Sequence, residues 1–219
     1  MKPPTRGEAV KLRHSRKHSA ASQRWLLRQL NDPYVAAAKA QGLRSRAAFK
    51  LLELDEKFHF LTRGARVVDL GAAPGGWLQV ALNSGASRVV GLDLLPIDVL
   101  GGADLLQGDF TAEDMPEKLR ALLGGRADIV LSDMAPNTIG HAATDHLRIV
   151  ALAEMAFHFA IEVLEDGGVF VAKLFQGGAE RTLLGPMKSH FAEVHHAKPP
   201  ASRKESSELY VVAKGFRRK

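Results

Sequence analysis

The chain of 219 residues contains no cysteine. This excludes disulfide bridges, thiolate nucleophiles and every zinc or iron–sulfur centre that needs sulfur, and leaves carboxylates, amines, imidazoles and hydroxyls for any chemistry. Aromatic residues are scarce at 6%, too few for an evident stacking platform for unpaired bases. Long apolar runs are also missing. The longest uncharged stretch, Leu70 to Ser87, is broken by Pro74, Asn83 and several Gly and Ser residues and fails as a membrane span. The opening residues, MKPPTRGEAVKLRHSRKHS, lack the apolar segment of a secretory signal, and Glu8 with two prolines argues against a transit peptide. A soluble, cytoplasmic protein without membrane contact is expected.

What is present is a globular composition, 46% hydrophobic and 25% charged, of a size for one full core. Its net charge of +6 is unevenly spread: residues 1–50 hold twelve Lys/Arg and two acids, residues 51–197 eleven and twenty, and residues 198–219 seven and two. Basic ends therefore flank an acidic body, which suggests a polyanionic partner without identifying one. Residues 1–20 read as a basic, disordered tail, and residues 21–219 as one domain.

Within that domain, WLLRQL from Trp25 reads as a short helix. Ser45 reads as the N-cap of a helix over RAAFKLLELDEKF, which puts Ala48, Leu51, Leu52 and Phe58 on one face and Lys50 near its start. Strands are predicted at 65–71, 88–94, 105–110, 127–134 and 167–175, with helices near 76–84, 113–123 and 144–165 between them. Apolar strands separated by helices indicate an α/β fold with a doubly wound, mostly parallel sheet. The runs VHHAKP and SELYVVAKGF, joined by a short segment, predict a terminal antiparallel pair and bring the sheet to seven strands.

In such sheets ligands bind beyond the carboxyl ends of the strands. There the sequence places Asp69, Asp93, Asp109 and Asp133, together with the turn Gly71-Ala72-Ala73-Pro74-Gly75-Gly76-Trp77. Any one of these aspartates is explained by a helix cap or turn; four in succession are not. Asp93 follows Gly71 by 22 residues, close to the spacing at which a carboxylate meets ribose hydroxyls in nucleotide-binding units. The dinucleotide fingerprint G-x-G-x-x-G is not met, because Ala73 stands at its second glycine, so a nicotinamide-dependent oxidoreductase is a distant reading. Carboxylates around a nucleoside suit a ligand without phosphate and with positive charge, and S-adenosylmethionine satisfies both conditions.

The segments RSRAAFKL (44–51), DLGAAPGGW (69–77), GLDLLP (91–96), LQGDF (106–110), SDMAPN (132–137), VAKLFQG (171–177) and SSELYVVA (206–213) resemble, in order, the motifs of the FtsJ/RrmJ family of S-adenosylmethionine-dependent RNA 2′-O-methyltransferases. The resemblance runs from about Ser22 to the C-terminus. It implies a Rossmann-like methyltransferase fold and a catalytic Lys-Asp-Lys-Glu tetrad at Lys50, Asp133, Lys173 and Glu208. It also implies that Gly75 and Trp77 lie at the methionine and loop side of the cofactor, Asp93 at the ribose hydroxyls, Asp109 at the adenine amino group and Asp133 near the donor's amine. For Trp77 the alternative is core packing at a helix start. No metal is expected.

Because the motifs hold no histidine, the base that takes the 2′-hydroxyl proton falls to a lysine. Lys173 has that role, Asp133 orients it, and Lys50 and Glu208 position the ribose. Taken singly, Lys50 reads as well as a solvated helix residue and Glu208 as an exposed strand residue; a lysine inside GGVFVAKLF is harder to explain that way. Arg44, Arg46, Arg203 and Lys204 flank the tetrad in sequence and form a candidate rim for RNA phosphates. Within the family, a short chain implies a monomer acting on a uridine in the A-loop of large-subunit ribosomal RNA in the 50S particle. The same chemistry on a transfer RNA anticodon loop or an mRNA cap is the alternative, and a non-catalytic RNA-binding assembly module is the alternative of another class.

Overall fold

The apolar runs at 65–71, 88–94, 127–134 and 167–175 become neighbours at the centre of one sheet, where both faces must be covered. The computed structural model describes residue 4 and residues 19–136, 142–176 and 180–218. The expected basic tail, apart from Pro4, Ser19 and Ala20, lies outside the described residues, as do Asn137 and Gly177 at the ends of two motifs. The elements are α1 (Ala20–Leu30), α2 (Pro33–Ala40), α3 (Ala47–Phe58), β1 (Arg66–Leu70), α4 (Gly76–Asn83), β2 (Arg88–Asp93), β3 (Ala103–Gln107), α5 (Met115–Leu123), β4 (Ala127–Ser132), α6 (Ala142–Val163), β5 (Leu164–Phe175), α7 (Glu180–His190), β6 (Phe191–Ala197) and β7 (Glu208–Phe216). The sheet order is β3-β2-β1-β4-β5-β7-β6. Neighbouring strands from β3 to β5 pair in parallel, whereas β7 pairs antiparallel with both β5 and β6. The antiparallel strand is thus inserted, and β6 forms the edge. This is the doubly wound, Rossmann-like α/β architecture expected from the sequence.

Strand alternation divides the core. Val68, Leu70, Val90, Val130, Phe170 and Val211 face a cluster that includes residues of α5, α6 and α7. Val67, Val89, Leu131, Val171, Tyr210 and Val212 face a second cluster with α3 and α4. A third, smaller cluster of Tyr34, Ala38, Phe49 and Ala201 attaches α2 to α3 and to the β6–β7 connection.

Two local expectations are revised, and the helices α2 and α7 are added to those expected. Ser45 does not cap α3: Arg46 occupies the cap position with helical angles, φ −62° and ψ −21°, and no side chain caps the helix. The chain enters α3 through a tight turn, Ala48 N–H to Ser45 O at 3.3 Å. The Ser45 hydroxyl is directed at Gly76, where it is buried without a hydrogen-bond partner. Helix α1 starts at Ala20, capped by Ser19, and α2 follows with Asp32 accepting from the Tyr34 N–H and Pro33 in its first turn. Helix α7 contains Gly185 and Pro186, two breakers that hide it from a periodicity reading.

At the carboxyl ends of β1 and β4 two turns touch. Gly71 has φ +80°, and a Cβ there would lie 2.8 Å from the Met134 nitrogen. Gly71→Ala should therefore lower the thermal unfolding midpoint by ~4–8 °C: left-handed backbone alone costs about 1–2 kcal/mol and the turns must also separate. Gly101→Ala, which adds a Cβ to open space, should leave the midpoint within about 1 °C in the same calorimetric comparison.

Candidate active site

Lys173 on β5 and Tyr210 on β7 are direct register partners. Glu208 lies two residues before Tyr210 and so shares its face, and α3 crosses that face carrying Lys50. The four residues of the expected tetrad are brought together. The Lys50 Nζ lies 2.9 and 3.0 Å from the two Glu208 carboxylate oxygens and donates to the Tyr210 hydroxyl at 3.2 Å. The Tyr210 hydroxyl in turn donates to Asp133 Oδ1 at 2.7 Å. Lys173 Nζ donates to the Asp133 carbonyl at 2.6 Å and sits 3.0 Å from Asp133 Oδ1. The result is one continuous chain, Glu208–Lys50–Tyr210–Asp133–Lys173. Lys173 is only 9% exposed.

Burial is the largest influence on Asp133 and acts to raise its pKa, but Lys173, Lys50 and the Tyr210 hydroxyl together outweigh it and hold the carboxyl below its usual range. Asp133 is an anion here. Burial, then the negative charges of Asp133 and Glu208, push the Tyr210 phenol well above its ordinary value. Tyr210 is thus a neutral donor that joins two ion pairs. In the sequence Tyr210 is hidden in an apolar run, and its two-residue spacing from Glu208 is the signal that marks it.

The turn beside this chain contains Gly75, with φ +104°. Asp93, the last residue of β2, accepts from the Ala73 and Leu95 N–H groups at 2.8 Å each, one on each carboxylate oxygen. Asp109 lies exposed just beyond β3, and its carboxyl is held below the usual range by the Thr111 backbone N–H and then the Thr111 hydroxyl. The Trp77 side chain is 3% exposed and donates its indole N–H to the Ala47 carbonyl at 2.8 Å. Beneath the turn, Asp69 is 1% exposed and neither carboxyl oxygen has a partner. Apart from Arg44 at its edge, the side-chain set around the glycine turn is made of carboxyls, one of them orphaned beneath it. It fits a nucleoside that carries positive charge rather than a phosphate.

Residues 43–216 match the model of the family described as FtsJ-like methyltransferase. The chain belongs to the FtsJ-like methyltransferase family. Over 217 residues, 98% of this chain and 94% of the relative, it is 69% identical to a Granulibacter bethesdensis protein named ribosomal RNA large subunit methyltransferase E. An Acidiphilium cryptum protein of the same name is 66% identical, with 97% of this chain and 94% of the relative covered. A crystal structure described as a ribosomal RNA methyltransferase from Plasmodium falciparum superimposes with a TM-score of 0.72 at 33% identity, covering 80% of this chain and 100% of the other.

In this FtsJ-like chain the four basic residues expected at the rim are not equivalent. Arg46 pairs with Asp32 at 2.9 Å and donates to the Ala201 carbonyl, and Arg203 reaches the same Asp32 oxygen at 3.5 Å. Burial lowers the Arg46 pKa from its ordinary value. Lys204 is exposed on the β6–β7 connection, and Arg44 is turned toward the glycine turn. Among the described residues no group of three or more His, Asp or Glu is placed to hold a metal ion, and no helix is long and apolar enough to cross a membrane.

Burial, reinforced by the nearby charges of Asp133 and then Asp93, raises the Asp69 pKa well above the carboxylate range. Between the unfolded group's titration near pH ~4 and that higher value, the folded protein holds a proton that the unfolded chain releases, so this group's contribution to stability falls as pH rises. Asp69→Asn should raise the unfolding midpoint of the ligand-free protein at about pH 7–8 by several degrees, and the gain should shrink toward pH ~4. An equal shift at both ends of a midpoint-against-pH series would show that Asp69 is not the titrating group.

Proposed function

We propose that the chain transfers a methyl group from S-adenosylmethionine to the ribose 2′-hydroxyl of a uridine in large-subunit ribosomal RNA, in the A-loop of the assembled 50S particle. The observation that carries this reading is Lys173. It is a buried lysine bonded twice to one carboxylate residue, beside a glycine turn ringed by aspartates. The names of the 69% and 66% identical relatives support the ribosomal substrate.

S-adenosylmethionine, when bound, supplies an electrophilic methyl group on a sulfonium. The remaining work belongs to the chain. In the ion pair the Lys173 ammonium has three N–H donors, two of them engaged by Asp133; once the third proton is given up to solvent, the lone pair it leaves can take the 2′-hydroxyl proton. Asp133 then stabilises the ammonium that forms. Lys50, fixed by Glu208 and Tyr210, positions the ribose oxygen for in-line attack. Gly75 and the Trp77 backbone line the methionine side, Asp93 takes the ribose hydroxyls of the donor and Asp109 its adenine amino group. Arg46, Arg203 and Lys204 contact RNA phosphates. The protein acts as a cytoplasmic monomer, with no metal and no membrane contact.

The test is transfer of labelled methyl from S-adenosylmethionine to 50S particles, intact ribosomes, free ribosomal RNA and transfer RNA, taken from cells lacking the corresponding modification. 2′-O-methyluridine on the 50S particle is the expected product. Label on transfer RNA alone would replace the substrate, and cofactor binding without any label would indicate a non-catalytic assembly module. Lys173→Ala should reduce transfer by at least ~10²-fold with cofactor affinity retained. Asp93→Ala should instead weaken cofactor affinity by roughly 10-fold or more in a calorimetric titration.

A further inference from the structure

Arg44 has more of its donors engaged on backbone than a rim arginine needs. Its guanidinium donates through Nη1 to the Asp98 carbonyl at 2.7 Å and the Pro74 carbonyl at 3.3 Å, and through Nη2 to the Val99 carbonyl at 2.7 Å. Pro74 belongs to the glycine turn after β1. Asp98 and Val99 belong to the irregular segment after Asp93, whose Leu94, Leu95 and Val99 side chains are exposed. The backbone of Arg44 is itself anchored: its N–H donates to Gln79 Oε1 at 2.6 Å, and Gln79 Nε2 donates to the Gly42 carbonyl at 3.1 Å. The fit at the turn is close, since a Cβ on residue 75 would lie 2.9 Å from Arg44 Nη1.

We propose that Arg44 is a positioning residue of the methyl-donor pocket, stapling its two flanking loops to the start of α3, in place of the phosphate contact expected from its sequence position. This rests on the reading of the glycine turn and Asp93 as the S-adenosylmethionine site. The carbonyls of Asp98 and Val99 are on successive residues and converge on the two arms of one planar fork, a geometry that suits guanidinium and that a single ammonium does not reproduce. A phosphate drawing Arg44 away would leave three carbonyls to find other donors. The staple also has a mechanical consequence. The loop that follows Asp93 and the turn after β1 are held to one side chain, so the donor pocket keeps its shape before the donor binds.

The experiment uses the full-length protein with Arg44→Ala and Arg44→Lys. The measurements are calorimetric titration of S-adenosylmethionine, steady-state transfer to 50S particles, salt dependence of particle binding, and amide hydrogen exchange. Expected for both variants are a ~10-fold or larger rise in the dissociation constant and KM for S-adenosylmethionine and a kcat at saturation within ~3-fold of the parent. The slope of log affinity against log salt for particles should be unchanged. Exchange at residues 95–100 should accelerate while that of β4 and β5 does not. An unchanged S-adenosylmethionine constant with a salt slope reduced by about one would make Arg44 a phosphate contact and overturn the proposal. Unchanged exchange at 95–100 would overturn it as well. If the parent protein fails to bind S-adenosylmethionine, the reading of the pocket fails, and the exchange measurement still decides whether Arg44 holds the loops together.

Discussion

Asp133 is fixed from two directions. Its backbone N–H donates to the Leu70 carbonyl at 3.0 Å, which continues the β1–β4 ladder one residue past the strand, and its carbonyl and carboxylate both receive Lys173. The neighbouring Met134 backbone packs against Gly71, so the exit of β4 and the turn after β1 cannot shift separately. Much of the site depends on this residue. A buried lysine without a counter-charge is expensive, and Tyr210 would lose its acceptor. Lys50 would keep Glu208 but lose its link through the phenol to the rest of the chain. The tetrad is better described as two ion pairs, Lys50–Glu208 and Lys173–Asp133, joined by a neutral tyrosine. The two lysines do not share a carboxylate.

That arrangement follows from sheet geometry. In β5 and β7, alternate residues face α3, and the antiparallel register sets Lys173 opposite Tyr210 and Phe175 opposite Glu208. Inserting β7 between β5 and β6, rather than placing it at the edge, gives it bonded neighbours on both sides, so Tyr210 is fully buried and Glu208 keeps only partial access to solvent. A single-residue slip would turn both side chains to the α6 face.

The strands were legible in the sequence because β-branched apolar runs such as RVVDL and DIVLS leave few alternatives, and the segments joining them hold helices of ordinary length. The aspartates were legible for the same reason, since strand ends are punctuated, and the structure sets Asp69 near the charges of Asp93 and Asp133. What escaped was set by tertiary contact. Ser45 has the residue type of a cap but is drawn to Gly76. Nothing beside Arg46 or Arg203 in sequence points to the partner they share, the 8%-exposed side chain of Asp32, which also caps α2. Glu53, in the middle of α3, is 8% exposed and accepts from the Tyr34 hydroxyl at 2.9 Å and the Ala201 N–H at 2.7 Å. No local pattern records a partner 148 residues away.

The segment Arg44-Ser45-Arg46 shows how the local and distant parts are joined. Its three side chains point to three different bodies: the loops beside Asp93, the Gly76 helix start, and the β6–β7 connection through Ala201. Lys50 lies one helical turn further on, and its place over β7 is therefore fixed by contacts made elsewhere in the chain. The buried, unpartnered Asp69 has the opposite character. The folded chain supplies it with no donor, and Asp93 and Asp133 only add negative charge. Such a group destabilises the ligand-free protein, and any cation bound above the glycine turn offsets part of that cost. In the ligand-free protein Asp69 holds its proton, and a cation above the glycine turn favours its anion, so the rigid frame around it is preorganised for a positively charged ligand.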